Sequence, residues 1–179
     1  FGVDWEREEF VSGGDSGRID TRGLFGEALF SPATGLDLAA SLRYDDNSAF
    51  GGNLSGRLAA AVAINDATTL RAVAATGFRA PSLYELNNTF YGNPALQPET
   101  SAGFELGIER RFGSASFVKA TGFYTEIDDL IQFVTLSFSP FTGQYQQIAG
   151  TSVSKGIEVS GQWALTGGFS LIGSYTYTD

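Results

Sequence analysis

The sequence predicts an all-β fold, specifically part of a transmembrane antiparallel up-and-down β-barrel. Three observations lead there. Apolar and polar side chains alternate with period two along successive segments of roughly ten residues, the pattern of two-faced strands. The face opposite the apolar one carries charge on neighbouring segments, through Arg43, Arg57, Arg71, Glu105, Glu109, Lys119 and Glu158, as the wall of a hydrated lumen does. Aromatic residues gather near segment ends at Tyr44, Tyr124, Trp163, Phe169, Tyr175 and Tyr177, where interfacial girdles lie. A soluble sandwich also alternates, burying its apolar face against a second sheet, and on pattern alone it stays open as the alternative.

The elements follow in order. Residues 1–11 alternate only at their start, and 23–31 sets Leu24, Ala28 and Phe30 opposite Glu27. In 36–45, Leu36, Leu38, Ala40, Leu42 and Tyr44 share one face, with Asp37, Ser41, Arg43 and Asp45 on the other. The segment 54–64 places Leu54, Leu58, Val62 and Ile64 opposite Ser55, Arg57 and alanines, and 68–76 places Leu70, Ala72 and Ala74 against Arg71. In 102–111, Phe104, Leu106 and Ile108 alternate with Glu105, Gly107 and Glu109. The segment 115–134 reads as one long strand whose second apolar stretch, Leu130–Leu136, runs beyond the membrane. Strands over 156–165 and 169–178 complete a meander of about nine.

Connections alternate in length. Short turns are expected at 31–35, 65–67, 112–114 and 166–168, and longer loops at 12–22, 46–53, 77–100 and 135–147. Outer-membrane barrels have short periplasmic turns and long surface loops, which fixes the expected orientation.

Composition narrows the classes of function. The chain of 179 residues carries a net charge of −9, which argues against a nucleic-acid partner. It has no cysteine and no histidine, which removes disulfides, thiolate and imidazole catalysis, and the usual zinc sites. The longest apolar run, Leu58–Ile64, falls far short of the ~20 residues of a membrane-spanning helix, a test that barrel strands always fail. The first residues have neither the basic region nor the apolar core of a signal peptide, and position 1 is not methionine. A processed protein or a fragment of a longer one is therefore expected.

One stretch interrupts the strands. Residues 76–100 hold Pro81, Pro94, Pro98 and the turn pair Gly92-Asn93, so no continuous strand or helix is expected there. Gly77, Phe78, Arg79, Ala80, Pro81 and Ser82, then Glu85 and Leu86, then Gly92, Asn93, Pro94, Leu96, Pro98 and Glu99 form an ordered set. It continues with Glu105-Leu106-Gly107, with Tyr124 through Ile131, and with Lys155-Gly156-Ile157-Glu158. This set resembles the barrel signature of TonB-dependent outer-membrane receptors, most closely the cobalamin type, over roughly residues 20–179. The resemblance implies a partial barrel domain over 1–179, a share of a 22-stranded barrel in the outer membrane of a Gram-negative bacterium. It implies contact with outer-membrane lipid, a large scarce nutrient as ligand, cobalamin or a ferric siderophore among the candidates, and the TonB complex as energy source. That complex would act through an N-terminal plug domain, which has no counterpart in these residues. A passive porin-like channel and a surface adhesin or soluble carbohydrate-binding module are the alternative functions.

Two groups of residues invite a chemical role. Phe90, Tyr91 and Asn93, with Phe138, Phe141, Tyr145 and Gln146 in the other long loop, supply the aromatic and amide groups that suit a large, partly apolar ligand. Self-packing of the loops is the competing expectation. Acidic clusters at Asp4 to Asp20, Asp45-Asp46 and Asp128-Asp129 raise loop-bound calcium, but none has the spacing of a dedicated calcium loop, so no cofactor is expected. No paired-carboxylate spacing supports hydrolysis, and no enzyme activity is expected.

Overall fold

The computed structural model describes all of residues 1–179. Its strands are β1 (Gly2–Ser12), β2 (Asp15–Ala33), β3 (Leu36–Asn47), β4 (Gly51–Asn65), β5 (Thr68–Arg79), β6 (Glu99–Phe112), β7 (Ser116–Asp128), β8 (Ile131–Phe138), β9 (Phe141–Gln147), β10 (Thr151–Ala164) and β11 (Ser170–Thr178). A short helix, α1 (Leu83–Asn87), lies between β5 and β6. Nine strands form one antiparallel meander, β1-β2-β3-β4-β5-β6-β7-β10-β11, while β8 and β9 form a separate two-stranded sheet.

The register puts like with like. Leu58 lies opposite Ala40 and Ala74, and Leu106 opposite Ala72 and Gly122, so the middle band of one face of the sheet is apolar. Arg57 lies opposite Ser41 and Ala75, and Glu158 opposite Thr121 and Thr176, on the other face. Nothing in the chain covers the apolar face. Leu58, Leu106 and Leu171 are 63%, 67% and 65% exposed, a contiguous apolar surface that a water-soluble sandwich would bury. Hydrocarbon is the solvent that fits it. No helix is long and apolar enough to cross a membrane, and the crossing is made by strands.

Several expected boundaries differ. The 12–22 loop is instead strand: β1 and β2 continue to a tight turn at Gly13 and Gly14, whose φ values of +60° and +100° suit a two-residue hairpin turn. Nineteen residues of β2, at about 3.3 Å each and tilted about 45°, span roughly 44 Å, well beyond a hydrocarbon band of about 25–30 Å. Beyond that band both faces are wet, which removes the alternation while the hydrogen-bonded ladder continues. Similarly, the 46–53 loop shrinks to residues 48–50 between β3 and β4. The single strand expected over 115–134 is two, because the chain turns at Asp129, with φ +59°, and starts β8 in another sheet. The 135–147 loop is mostly the β8–β9 hairpin, and the irregular 77–100 stretch contains the end of β5, helix α1 and the start of β6.

Candidate functional site

The longest insertions, α1 with its following loop and the β8–β9 hairpin, leave the same end of the sheet and pack together. Ser82 begins α1 as its N-cap in a reciprocal capping box: the Glu85 N–H donates to Ser82 Oγ at 3.2 Å and the Ser82 N–H donates to Glu85 Oε2 at 2.7 Å. The helix sits on β2, with Leu83, Leu96, Pro81 and Ile19 forming a small buried core. Gly17 permits this approach, since a Cβ there would stand 2.6 Å from the Asn87 amide and 3.1 Å from Leu83.

Arg79 ties the insertion to the sheet. Its Nε and Nη2 donate to the two oxygens of Glu99, at 2.9 and 2.7 Å, and Nη1 donates to Glu85 at 3.1 Å. The β5–β6 register makes Arg79 and Glu99 direct partners. Glu99 is buried, and its Oε1 also accepts the Ile131 N–H at 2.6 Å, so one carboxylate joins β5, β6 and the start of β8. The Arg79 hydrogen bonds hold the Glu99 carboxyl below its usual range against the opposing effect of burial, and the Ile131 N–H adds to them. Burial alone would raise Glu85, but its bonds from Ser82 and Arg79 leave it lowered. Arg79 is correspondingly held charged, with its pKa raised by Glu99 despite burial.

After α1, the Asn88 side chain accepts the Phe90 and Tyr91 N–H groups at 3.1 and 2.9 Å, closing a local turn. Gly92 must be small, since a Cβ would meet the Asn88 carbonyl oxygen at 2.6 Å. Thr89 bonds Asp15 at the tip of β1–β2 through its N–H, at 2.9 Å, and through its hydroxyl, and both bonds hold the Asp15 carboxyl below its usual range. On the opposite side, the hairpin docks by polar contacts. The Tyr145 N–H donates to Tyr91 O at 2.9 Å, Asn93 Nδ2 to Tyr145 O at 3.0 Å, Gln144 Nε2 to Gly92 O at 3.1 Å and Gln147 Nε2 to Gln97 O at 3.0 Å.

A chain of aromatic rings crosses this platform. Phe10 meets Tyr84 at 5.8 Å, Tyr84 meets Tyr145 at 6.1 Å, Tyr145 meets Phe133 at 5.4 Å and Phe133 meets Tyr91 at 5.5 Å, all edge to face. Phe141 continues it, 6.5 Å from Tyr91.

The candidate residues therefore separate. Tyr91, Phe141 and Tyr145 come together, and Asn93 bonds the hairpin backbone. Phe90 and Phe138 stand out from the surface at 79% and 86% exposure, and Gln146 faces away from the Tyr145 side of β9, opposite Gln132. Of the signature set, Arg79, Ser82, Glu85 and Glu99 form the ion-paired brace; Pro81 and Leu96 are buried, while Leu86, Pro94 and Leu96 line the crevice beside β2. Phe78 pairs with Thr100 and Gly77 with Ser101 in the β5–β6 ladder. Sequence reasoning missed Phe10, Tyr84, Phe133, Gln144, Gln147 and the Asp15–Thr89 tie. The only local signal for any of them was the apolar run that contains Phe133. Three of the acidic residues raised for calcium are ion-paired: Arg7 and Arg18 hold Asp20, and Arg43 holds Asp4 and Asp45. No group of three or more His, Cys, Asp or Glu side chains is arranged to hold a metal ion.

With an uncovered apolar wall, a charged opposite face and a built loop platform at one end, the structure defines a segment of a transmembrane barrel. All of residues 1–179 match the family model described as TonB dependent receptor-like, beta-barrel, and the chain belongs to that family. The vitamin B12 transporter BtuB of Photobacterium profundum is 30% identical over 181 residues, covering 99% of this chain and 30% of that protein. BtuB of Vibrio cholerae serotype O1 is 29% identical over 164 residues, covering 91% of this chain and 26% of that one. Among solved structures, the siderophore receptor PirA from Pseudomonas aeruginosa superposes with a TM-score of 0.88 at 28% identity, over 98% of this chain and 35% of PirA. The chain thus spans about a quarter to a third of the length of these relatives. Its place is the outer membrane of a Gram-negative bacterium.

Proposed function

We propose that this chain is the wall and loop segment of a TonB-dependent receptor that takes up a large, scarce nutrient of the cobalamin or ferric-siderophore kind. The observation that carries the reading is the family match over every residue, and the BtuB and PirA likenesses supply the two ligand classes. The nine strands contribute part of a barrel wall in outer-membrane lipid, with the charged face toward the lumen. A plug domain outside these residues occupies that lumen and links the receptor to the TonB complex. The α1 loop and the β8–β9 hairpin face the cell exterior. Within them Phe90, Phe138 and Phe141 are the exposed rings that meet ligand, while Tyr91, Asn93 and Tyr145 position them. The family is one of receptors and transporters, and we assign no catalytic residue, metal or cofactor.

The test is uptake by the full-length receptor, expressed in cells with and without TonB and offered labelled cyanocobalamin or an iron-loaded siderophore. Uptake of one of them that disappears without TonB is the expected result. Uptake that is equal in both strains would instead identify a passive channel, and surface binding with no uptake of either would identify an adhesin.

A further inference from the structure

We propose that Arg110 anchors a phospholipid site on the apolar face of the wall, taking the phosphodiester of an anionic diacyl lipid from the leaflet at the short-turn end. Residues 109–111 read Glu-Arg-Arg, and strand alternation divides them between two media. Glu109 and Arg111 share the charged face, where Arg71 and Arg111 hold Glu109 at 2.8 and 3.0 Å. Arg110 falls on the other face, in step with Leu106 and Ile108, and is exposed. Charges such as Arg22, Asp46 and Glu126 lie on that face only in the rows at the insertion end. Between those rows and the short turns, Arg110 is its single charged side chain.

The chain gives this cation no carboxylate. Its Nη1 donates to Thr68 Oγ1 on β5 at 2.9 Å, which leaves the Nε–Nη2 edge of the fork free. Both strands beside β6 belong to this chain, so strands added beyond β1 or β11 do not border Arg110. Its depth is marked by rings. The guanidinium lies 5.7 Å from the centre of the Phe112 ring, and Phe112 meets Trp163 at 5.2 Å. Such rings sit at headgroup level, and Arg110 precedes Phe112 on the membrane side, followed inward by exposed Ile108 and Leu106. Arginine on the lipid face is unfavourable at depth and nearly neutral only at the interface, so an anion that follows it inward stabilises it. A planar fork matches two phosphate oxygens with two parallel N–H donors. The ammonium of a zwitterionic headgroup competes for its own phosphate, which favours an anionic lipid, while Ile108 and Leu106 offer its acyl chains an apolar track. In the orientation proposed above, this is the periplasmic leaflet. The inference rests on the membrane place of the wall and on no nutrient, so it and the uptake reading fail separately.

The experiment uses the full-length receptor in detergent, titrated with dioleoylphosphatidylglycerol, and reads the first lipid adduct by native mass spectrometry. Dioleoylphosphatidylcholine, with the same acyl chains and its own cation, is the comparison lipid. The wild type should retain phosphatidylglycerol in preference. Arg110→Gln should weaken that adduct about tenfold, the loss expected for one charge-assisted pair. Arg110→Lys, which keeps the charge without the fork, should retain an intermediate share, and it keeps the site testable if Arg110→Gln fails to show heat-modifiable barrel migration. Arg22→Gln, which removes an exposed cation at the far end of the same face, should change nothing. Equal retention by the wild type and Arg110→Gln would overturn the proposal, as would no preference between the two lipids. An equal loss in Arg22→Gln would also overturn it, by showing attraction to surface charge in general. A lipid-free dimer that Arg110→Gln converts to monomer would make the occupant a second copy of the receptor instead.

Discussion

Glu99 shows how much one side chain carries at the sheet rim. It takes both prongs of the Arg79 fork and a backbone N–H that has no other acceptor, from a position that is buried. Glu99→Ala should destabilise the rim by roughly 1–3 kcal/mol, the cost of leaving such donors unpaired, with Arg79 at the low end because it is half in water. Exchange of the Ile131 N–H in the full-length receptor would report it; an unchanged rate would remove Glu99 from the brace. The pH dependence has a definite sign. Glu99 and Glu85 are both lowered in the folded chain, so their stabilisation is fully present above the ordinary glutamate value of 4.5. It disappears as pH falls through their lower folded values. Acid titration of Ile131 exchange should therefore show protection that is flat above about pH 5 and falling below it. Protection lost between neutral pH and 5 would require a different group.

At the scale of single elements, the strands make a sharper claim than the loops. Leu106 on β6 lies in the apolar face, and Gln162 on β10 in the polar one. Arginine at mid-membrane on a barrel's lipid face costs about 2–4 kcal/mol, and much less in the lumen. Leu106→Arg should accordingly impair refolding into lipid vesicles far more than Gln162→Arg, read by heat-modifiable gel migration. Equal effects would mean that the faces are misassigned. For the loops, Phe90→Ala with Phe138→Ala removes two highly exposed rings, and should weaken ligand binding without altering barrel migration. A loss of barrel stability in that variant would make these rings structural. The sequence made the crossing strands readable because lipid on one side and water on the other enforce period two. It did not reveal the β1–β2 extension, although Gly13-Gly14 carries a hairpin signal, because strand with water on both faces loses that period. The run Leu130–Leu136 reads as the same strand continuing beyond the membrane, yet it starts a separate hairpin, because its Phe133 finds apolar neighbours in the rings Tyr91 and Tyr145. Glu99 was visible as a motif residue, but its partnership with both Arg79 and Ile131 arises from register and a distant hairpin, which spacing does not encode.

For the whole molecule, the decisive assignment is which end of the sheet faces the cell exterior. The two built insertions share one end, while the connections at 34–35, 66–67 and 113–115 at the other are short turns. That asymmetry was legible before the structure, even though the 12–22 and 46–53 connections proved to be strand extensions rather than loops, since all four expected loops lie at the same end. Residues 1–179 contain no cysteine. Ser139→Cys at the hairpin tip and Asp66→Cys in the β4–β5 turn, each in the full-length receptor on intact cells, can be exposed to a membrane-impermeant thiol label. A surface receptor wall oriented as described predicts strong labelling at Ser139→Cys and none at Asp66→Cys until the outer membrane is opened. Labelling of Asp66→Cys but not Ser139→Cys on intact cells would contradict it.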